Sequence, residues 1–572
     1  MPRRGLDGGH AVRRREEAAW CLAFRAEGHC GIGRPGGVGV PTGSRVWSKR
    51  GCACRHGDAE PSGREPAAGT APRAGRSRGR GRRGLRGSAR YAPTRRRAFV
   101  AGVSGTEGDT WSRGPVDLAV AGGTVVTPMA IARADVLVAA GRIVAVRPAV
   151  GEAPAPDGPP ARWTLDARGC LVLPGAVDAH VHFREPGLAH KEDWEHASLA
   201  AIAGGVTTVL DMPNVVPPTS TAERLAAKAA LIAGRSRCHF ALYGAMAAGG
   251  LDELAPMACA GARGFKVFLG ETTASLPAPG DGALLQAFAR AADLGLRTMV
   301  HAENGDVLRA AVARLAAPGA GDPDPASLAW HGFARPPVAE VEAVARVCLL
   351  AASAGAAISI AHLSSAGAVA EVRRRKAAGD LDLRGEACPH HLLLTMDQAA
   401  ALGAVAKVNP PLRSAADVEA LWAGVADGTI DTVGSDHAPH ARAEKEPEGG
   451  VMAGAAAGFA GVQNTVPLLL AAVAAGRLPL RRLVELCAEG PARAWGLWPR
   501  KGALLAGADA DIAVWRLGPP AAPPRQWSLH PDSPLTHLRR PGAALVATLL
   551  DGEVVFAGDR PVGLPRGRWL RG

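Results

Sequence analysis

Between Asp178 and Gly187 the chain reads Asp-Ala-His-Val-His-Phe-Arg-Glu-Pro-Gly, which sets two histidines and an arginine at every second position. On an extended strand successive side chains alternate in direction, so His180, His182 and Arg184 are expected to share one face. Two neutral imidazoles side by side supply half of a metal site, and a guanidinium beside them is a bidentate carboxylate receptor. The chemistry this spacing predicts is metal-dependent catalysis on an acidic substrate.

An isolated His-x-His is more often a hydrogen-bonded pair in a core, but this one has company. Further along stand Gly264-Phe-Lys266-Val-Phe-Leu269, Val300-His301-Ala-Glu-Asn304, Ile360-Ala-His362-Leu-Ser-Ser365, Pro389-His390-His391-Leu392 and Gly434-Ser-Asp436-His-Ala-Pro-His440. Most share one build: a short apolar run, a residue able to bind a metal, then a loop-like stretch.

Elements that could gather such residues follow from the pattern around them. Apolar strands are expected near 171–182, 206–213, 239–245, 264–270, 296–303, 358–364, 383–389 and 432–437, with Ala- and Leu-rich helical stretches such as Lys191–Ala203 and Asp281–Leu294 between most of them. Eight strand-helix units predict an α/β fold, a (β/α)8 TIM barrel whose chemistry lies at the C-terminal strand ends. Nearly every candidate ligand falls at such an end.

The flanks read differently. Short alternating strands occur at Leu118–Val120, Thr124–Thr127, Asp135–Val138 and Arg142–Val146, and again at Ala510–Trp515, Ala543–Leu550 and Glu553–Phe556, separated by turn residues. They predict a small β-sandwich domain built from both flanking segments. The expected organisation is a leader over 1–114, the N-terminal half of the sandwich over 115–170, the barrel over 171–490, the C-terminal half of the sandwich over 491–560 and a tail over 561–572.

The net charge of +13 in 572 residues is unevenly placed. Residues 1–114 hold 24 basic against 9 acidic residues, a net +15, and the remainder holds 42 basic against 44 acidic. A nucleic-acid-binding surface is therefore not expected on the folded body. The Gly-, Arg-, Pro- and Ser-rich leader lacks an apolar period and is expected to be disordered; a polybasic arm, or a reading frame that truly starts near Val103 or Val116, are the other readings. No apolar run of about 18 residues is present, so no membrane span is expected. Scattered cysteines in apolar surroundings point to a reducing compartment, and hence to the cytoplasm. The group Cys52, Cys54 and His56 lacks a second ligand pair at zinc-finger spacing.

The two stretches DAHVHFREPG and GSDHAPHARAEK together resemble the signatures of the cyclic amidohydrolase superfamily, and within it the chain is most similar to dihydroorotases, over roughly Asp117–Gly558. The resemblance implies that His180, His182 and Asp436 hold one divalent ion, that His301 and His362 hold a second, and that Lys266, carboxylated by carbon dioxide, bridges both. Between Phe265, Val267 and Phe268 the Lys266 ammonium would be poorly solvated, which favours the neutral amine that reacts with carbon dioxide. Imidazole and carboxylate ligands without thiolates favour zinc, with manganese or cobalt able to use the same donors.

Two such ions activate water near neutral pH, and Asp436 is the expected catalytic acid and base, taking a proton from the water and passing it to the leaving ring nitrogen. The implied activity is the reversible cyclisation of N-carbamoyl-aspartate to dihydroorotate in pyrimidine biosynthesis. By the same resemblance Arg184, Asn214 and His440 receive the ring carboxylate, while Asn409 and the backbone of Ala457 and Gly458 contact the ring. That last loop reads Ala456-Ala-Gly-Phe-Ala-Gly461 where many dihydroorotases have a Pro-Phe-Gly start. The alternatives are an allantoinase or a hydantoinase/dihydropyrimidinase-type enzyme; allantoinases typically carry Asn at the place of Arg184. A non-catalytic scaffold for a transcarbamoylase is the remaining reading, disfavoured because all six ligand groups are retained. Expected partners are the small-molecule substrate and either a homo-oligomer or a transcarbamoylase complex.

Overall fold

The computed structural model describes residues 116–149, 161–270, 272, 276–317, 323–446, 448–519, 524–538 and 542–572. The expected leader, with Cys52, Cys54 and His56, lies outside the described residues.

Two sheets organise the chain. The flanking strands are β1 (Val116–Val126), β2 (Ile131–Ala139), β3 (Arg142–Pro148), β4 (Ala161–Asp166) and β5 (Leu171–Pro174). The central strands are β6 (Ala176–Val181), β7 (Val206–Asp211), β8 (His239–Ala245), β9 (Gly264–Phe268), β10 (Thr298–His301), β11 (Ile358–Ile360), β12 (Leu383–Ala387) and β13 (Thr432–Val433). Four more close the chain: β14 (Ile512–Gly518), β15 (Gly542–Leu550), β16 (Glu553–Ala557) and β17 (Arg560–Pro561).

Strands β6 to β13 pair in chain order, each with the next, in one eight-stranded parallel sheet. Its ends meet: Val181 bridges His437, and the His182 N–H donates to the His437 carbonyl at 2.8 Å. The (β/α)8 barrel is thus closed just beyond β6 and β13, at the level of the candidate ligands. Helices lie between most strands, as at Trp194–Ala203, where Asp193 caps the first turn by accepting from the His196 N–H, and at Asp281–Asp293. Trp194 is fully buried with its ring edge-on to Phe183 and Phe240, at 4.9 and 5.5 Å. Truncating it to Ala would cost about 3–5 kcal/mol.

The flanking strands form a nine-stranded mixed sheet in the order β17-β16-β15-β14-β5-β1-β2-β3, with β4 paired to β1. Segments from either side of the barrel, 116–174 and 512–561, therefore build one β domain. Alternation along β14 shows how it joins the barrel: Ile512 and Val514 pack with Val120, Val136 and Val172, while Ala513 and Trp515 join the barrel's core beside Ile202 and Val206.

Two expected strands are divided otherwise in the structure. The run 171–182 is β5 in the mixed sheet and β6 in the barrel, parted at Gly175, where a Cβ would meet the Thr207 side chain at 2.2 Å. Conversely, the two pieces expected at 118–120 and 124–127 are one strand, β1, whose register against β2 shifts between Val120 and Gly123. The C-terminal segment runs along β8, with the Phe240 N–H donating to the Arg568 carbonyl at 3.0 Å and the Leu570 N–H to the Phe240 carbonyl at 2.7 Å. Among the described residues no helix is long and apolar enough to cross a membrane.

Candidate active site

A cavity of about 730 Å³ opens at the C-terminal mouth of the barrel. His180, His182, Arg184, Asn214, His301, His362, Asn409, Asp436, His440, Ala457 and Gly458 all line it. Lys266 does not line it. Its side chain lies buried on β9, with Nζ 4.9 Å from the ring centre of Phe268, which does.

Arg184 departs from the alternating-strand expectation. Strand β6 ends at Val181, and Arg184 has φ 64°, so a turn of the backbone rather than strand periodicity brings it to the cavity. His362 (φ 37°) and Asp436 (φ 47°) also adopt the left-handed region. Non-glycine residues held there cost on the order of 1–3 kcal/mol each, and such strain gathers at functional sites.

For His180, His182 and His301, hydrogen bonds at the far side of the ring set which imidazole nitrogen faces inward. His180 directs Nδ1 to Glu386 Oε1 at 2.6 Å and Nε2 to Asp436 Oδ1 at 3.3 Å. His182 directs Nδ1 to Asn214 Oδ1 at 2.8 Å and Nε2 to the same Asp436 oxygen at 3.2 Å. His301 gives Nε2 to Glu303 Oε2 at 3.0 Å, a carboxylate held in turn by Arg335, and its Nδ1 stands 2.8 Å from His362 Nε2. Asn214 Oδ1 can only accept, so His182 carries its proton on Nδ1 and turns a lone pair inward. Carboxylates at His180 and His301 assign their rings the same way, as is usual for metal-binding histidines.

Electrostatics favour cation binding at this point. Burial lowers the pKa of His182 to about 3, against the opposing pull of Asp436, and also lowers His301 and drives His362 well below its ordinary value. These rings are therefore neutral donors. His180, His182 and Asp436 bring ligand atoms within 4.8 Å of one another. Lys266 Nζ is buried without a hydrogen-bond partner among the described residues, and burial pulls its ammonium down to about 8. A lone buried amine beside neutral imidazoles and a carboxylate fits a carbamate that bridges two divalent ions.

Around the donors stand the expected substrate residues. Arg184 is buried, with Nε donating to the Pro439 carbonyl at 3.2 Å and Nη2 3.0 Å from His440 Nε2, and it has no carboxylate within ion-pair distance among the described residues. Burial lowers its pKa to about 10. Asn409 Oδ1 is buried without a partner among the described residues. Asn214 spends its amide on Thr272 Oγ1 at 3.1 Å as well as its carbonyl on His182, so it orients an imidazole. Arg413 is a clamp, donating to the Arg335 carbonyl at 2.6 Å and to Ser364 Oγ at 3.2 Å. His390 and His391 open the short helix Pro389–Leu393 behind the cavity and do not line it.

Several participants were not singled out from the sequence. Glu386 on β12 and the pair Glu303 and Arg335 support the histidines, and Asp178 accepts from the backbone N–H groups of His180 and Ser435, both at 3.1 Å. An acid inside an otherwise apolar strand, as in Arg384-Gly-Glu-Ala387, was the one available signal for Glu386.

Known proteins share this architecture. The profile of the Amidohydrolase family matches residues 171–555. The chain is 39% identical over 461 residues to an allantoinase of Rubrobacter xylanophilus, covering 80% of this chain and 97% of that protein. It is 41% identical over 347 residues to a dihydroorotase of Halobacterium salinarum, covering 60% and 76% respectively. The solved structure of the L-hydantoinase (dihydropyrimidinase) from Arthrobacter aurescens superposes with a TM-score of 0.75 at 33% identity, over 80% of this chain and all of that one. The chain belongs to the amidohydrolase family, among its allantoinase-, hydantoinase- and dihydroorotase-like cyclic amidohydrolases.

Proposed function

We propose that this chain opens the ring of a cyclic ureide by hydrolysis of an endocyclic amide, with His180, His182, Lys266, His301, His362 and Asp436 as the donors for two divalent ions. The observation that carries this reading is the inward aim of the histidine lone pairs around Asp436, with an unpartnered Lys266 amine buried beside them. The donor set, rich in imidazole and free of thiolate, favours zinc. Ions bound there would polarise the scissile carbonyl and lower the pKa of water.

The residues divide the remaining work. Asp436, with Oδ1 3.3 and 3.2 Å from the inward nitrogens of His180 and His182, is the group able to take a proton from the attacking water and return it to the leaving ring nitrogen. Glu386, Asn214 and Glu303 hold the imidazoles in one tautomer and so keep protons off the inward nitrogens. Asn409, with its carbonyl oxygen unspent, suits a ring N–H.

Whole-chain similarity supports an allantoin- or hydantoin-type ring ahead of dihydroorotate, since the Rubrobacter allantoinase aligns over 97% of its length and the Halobacterium dihydroorotase over 76%. One observation favours dihydroorotate as a second reading. Arg184 is a buried cation at the cavity without a carboxylate partner among the described residues, and a ring carboxylate would complete it. The test is to assay the zinc-loaded protein on allantoin, hydantoin, dihydrouracil and dihydroorotate side by side. Turnover of at least one is expected; inertness toward all four, with metal bound, would overturn the proposal.

A further inference from the structure

The cavity wall formed by Ala453, Ala455, Ala456, Ala457 and Gly458 has little side chain with which to hold its shape. Two buried lysines do the holding. Lys407 Nζ donates to the carbonyls of Met452 (2.6 Å), Ala453 (3.2 Å) and Ala455 (2.6 Å). Lys445 Nζ donates to those of Ala456 (3.0 Å) and Gly458 (2.7 Å), and to the carbonyl of Lys407 itself (3.1 Å). The two side chains are 5% and 6% exposed, and neither has a carboxylate within ion-pair distance among the described residues.

An ammonium taken out of water needs acceptors for its three hydrogens, and here backbone carbonyls supply all of them. The exchange works in both directions. Five carbonyls of one short run are committed to two buried lysines, so the run cannot turn without leaving buried donors unpaired. His440 Nε2 lies 3.2 Å from the carbonyl of Ala457, which with Gly454 is one of the two residues of the run that the lysines skip. The Ala457 N–H is left without a hydrogen-bond partner among the described residues. At Gly458 the backbone is at φ +124°, and a Cβ would meet the Ala438 carbonyl at 2.5 Å, so this wall is seated closely on the loop that follows Asp436.

We propose that Lys407 and Lys445 are positioning residues for the substrate: they fix the run Met452–Gly458, with the Gly458 N–H itself donating to the Lys407 carbonyl at 2.9 Å, so that the free N–H of Ala457 meets the ring in one register. Lys407 also lines the cavity, but its Nζ spends its hydrogens on three carbonyls of the run and keeps none for the substrate. The inference rests on the cyclic-ureide reading for its kinetic arm only, because the order of the run is measurable without any substrate.

The experiment compares the full-length, zinc-loaded wild type with Lys407→Met and Lys445→Met by hydrogen–deuterium exchange and by steady-state kinetics on whichever of the four rings the wild type opens. Each variant is expected to lose amide protection over residues 452–458 while the barrel strands keep theirs. KM should rise about 10-fold with kcat within about 3-fold, since a misplaced wall weakens ring binding before it touches the chemistry. Unchanged protection at 452–458 overturns the proposal, as does a fall in kcat at constant KM. If neither variant folds, the lysines support the barrel as a whole, and the proposal is likewise overturned. A wild type inert on every ring would defeat the functional reading and leave the exchange arm to decide this one.

Discussion

Glu386 Oε1 sits 2.6 Å from His180 Nδ1, and that bond decides which nitrogen of His180 faces Asp436. Both groups are almost fully buried, so water does not compete for the bond. Replacing Glu386 with Gln keeps the shape and removes the charge. Partners of this kind are worth about 10–100-fold in metal affinity. A chelator-competition titration of zinc should therefore show weaker binding to Glu386→Gln by that factor; an unchanged affinity would mean the bond does not tune the site.

Lys266→Met tests the carbamate. The variant should bind fewer divalent ions than wild type by elemental analysis and lose about 10²–10³-fold in kcat, the scale of removing a principal electrostatic stabiliser. Native mass spectrometry of the wild type should find one added carboxylate on residue 266. Two ions held by the Met variant would remove Lys266 from the site.

Arg184→Met separates the two substrate readings. Removing a buried cation from a carboxylate is worth about 2–5 kcal/mol, so kcat/KM for dihydroorotate should fall by about 30-fold or more. Allantoin and hydantoin carry no ring carboxylate and should be affected far less, with metal content unchanged. Equal losses on all rings would show that Arg184 supports the fold of the cavity instead of reading the substrate.

Asp511 predicts a pH dependence of stability. Burial raises its carboxyl, but Lys501, 2.6 Å away, and His239 outweigh that and hold it well below its ordinary 3.8. A carboxyl depressed in the folded state stabilises fully above its unfolded pKa of about 3.9, and the contribution drains away as pH falls through that value toward the folded one. Breaking such a buried pair costs about 3–5 kcal/mol. Calorimetry should thus show Asp511→Asn melting several degrees below wild type at neutral pH, with the gap narrowing below about pH 4. A gap of constant size across that range would contradict the linkage.

Much of the barrel was legible because its strands are short apolar runs that end on a chemically distinctive residue, as Val300 runs into His301 and Ile360 into Ala361-His362. Alternation brings His180 and His182 to one face, whereas Arg184 arrives otherwise, because the strand stops at Val181 and the backbone turns. The break at Gly175 was hidden for a related reason. Leu171–Val181 is apolar on both sides of it, and only the Thr207 side chain, from another strand, forbids continuity. Partners such as Glu386 for His180 are 206 positions apart, and no local pattern encodes that pairing. The lysine clamp was invisible for the same reason, its acceptors being carbonyls that every sequence possesses.

The central claim is that six side chains at one barrel mouth hold two cations. Crystals grown with zinc and measured at the zinc absorption edge test it directly. Two anomalous peaks are predicted, one among His180, His182 and Asp436, the other against His301 and His362, with Lys266 between them. Zinc found elsewhere, or at neither place, would contradict the account.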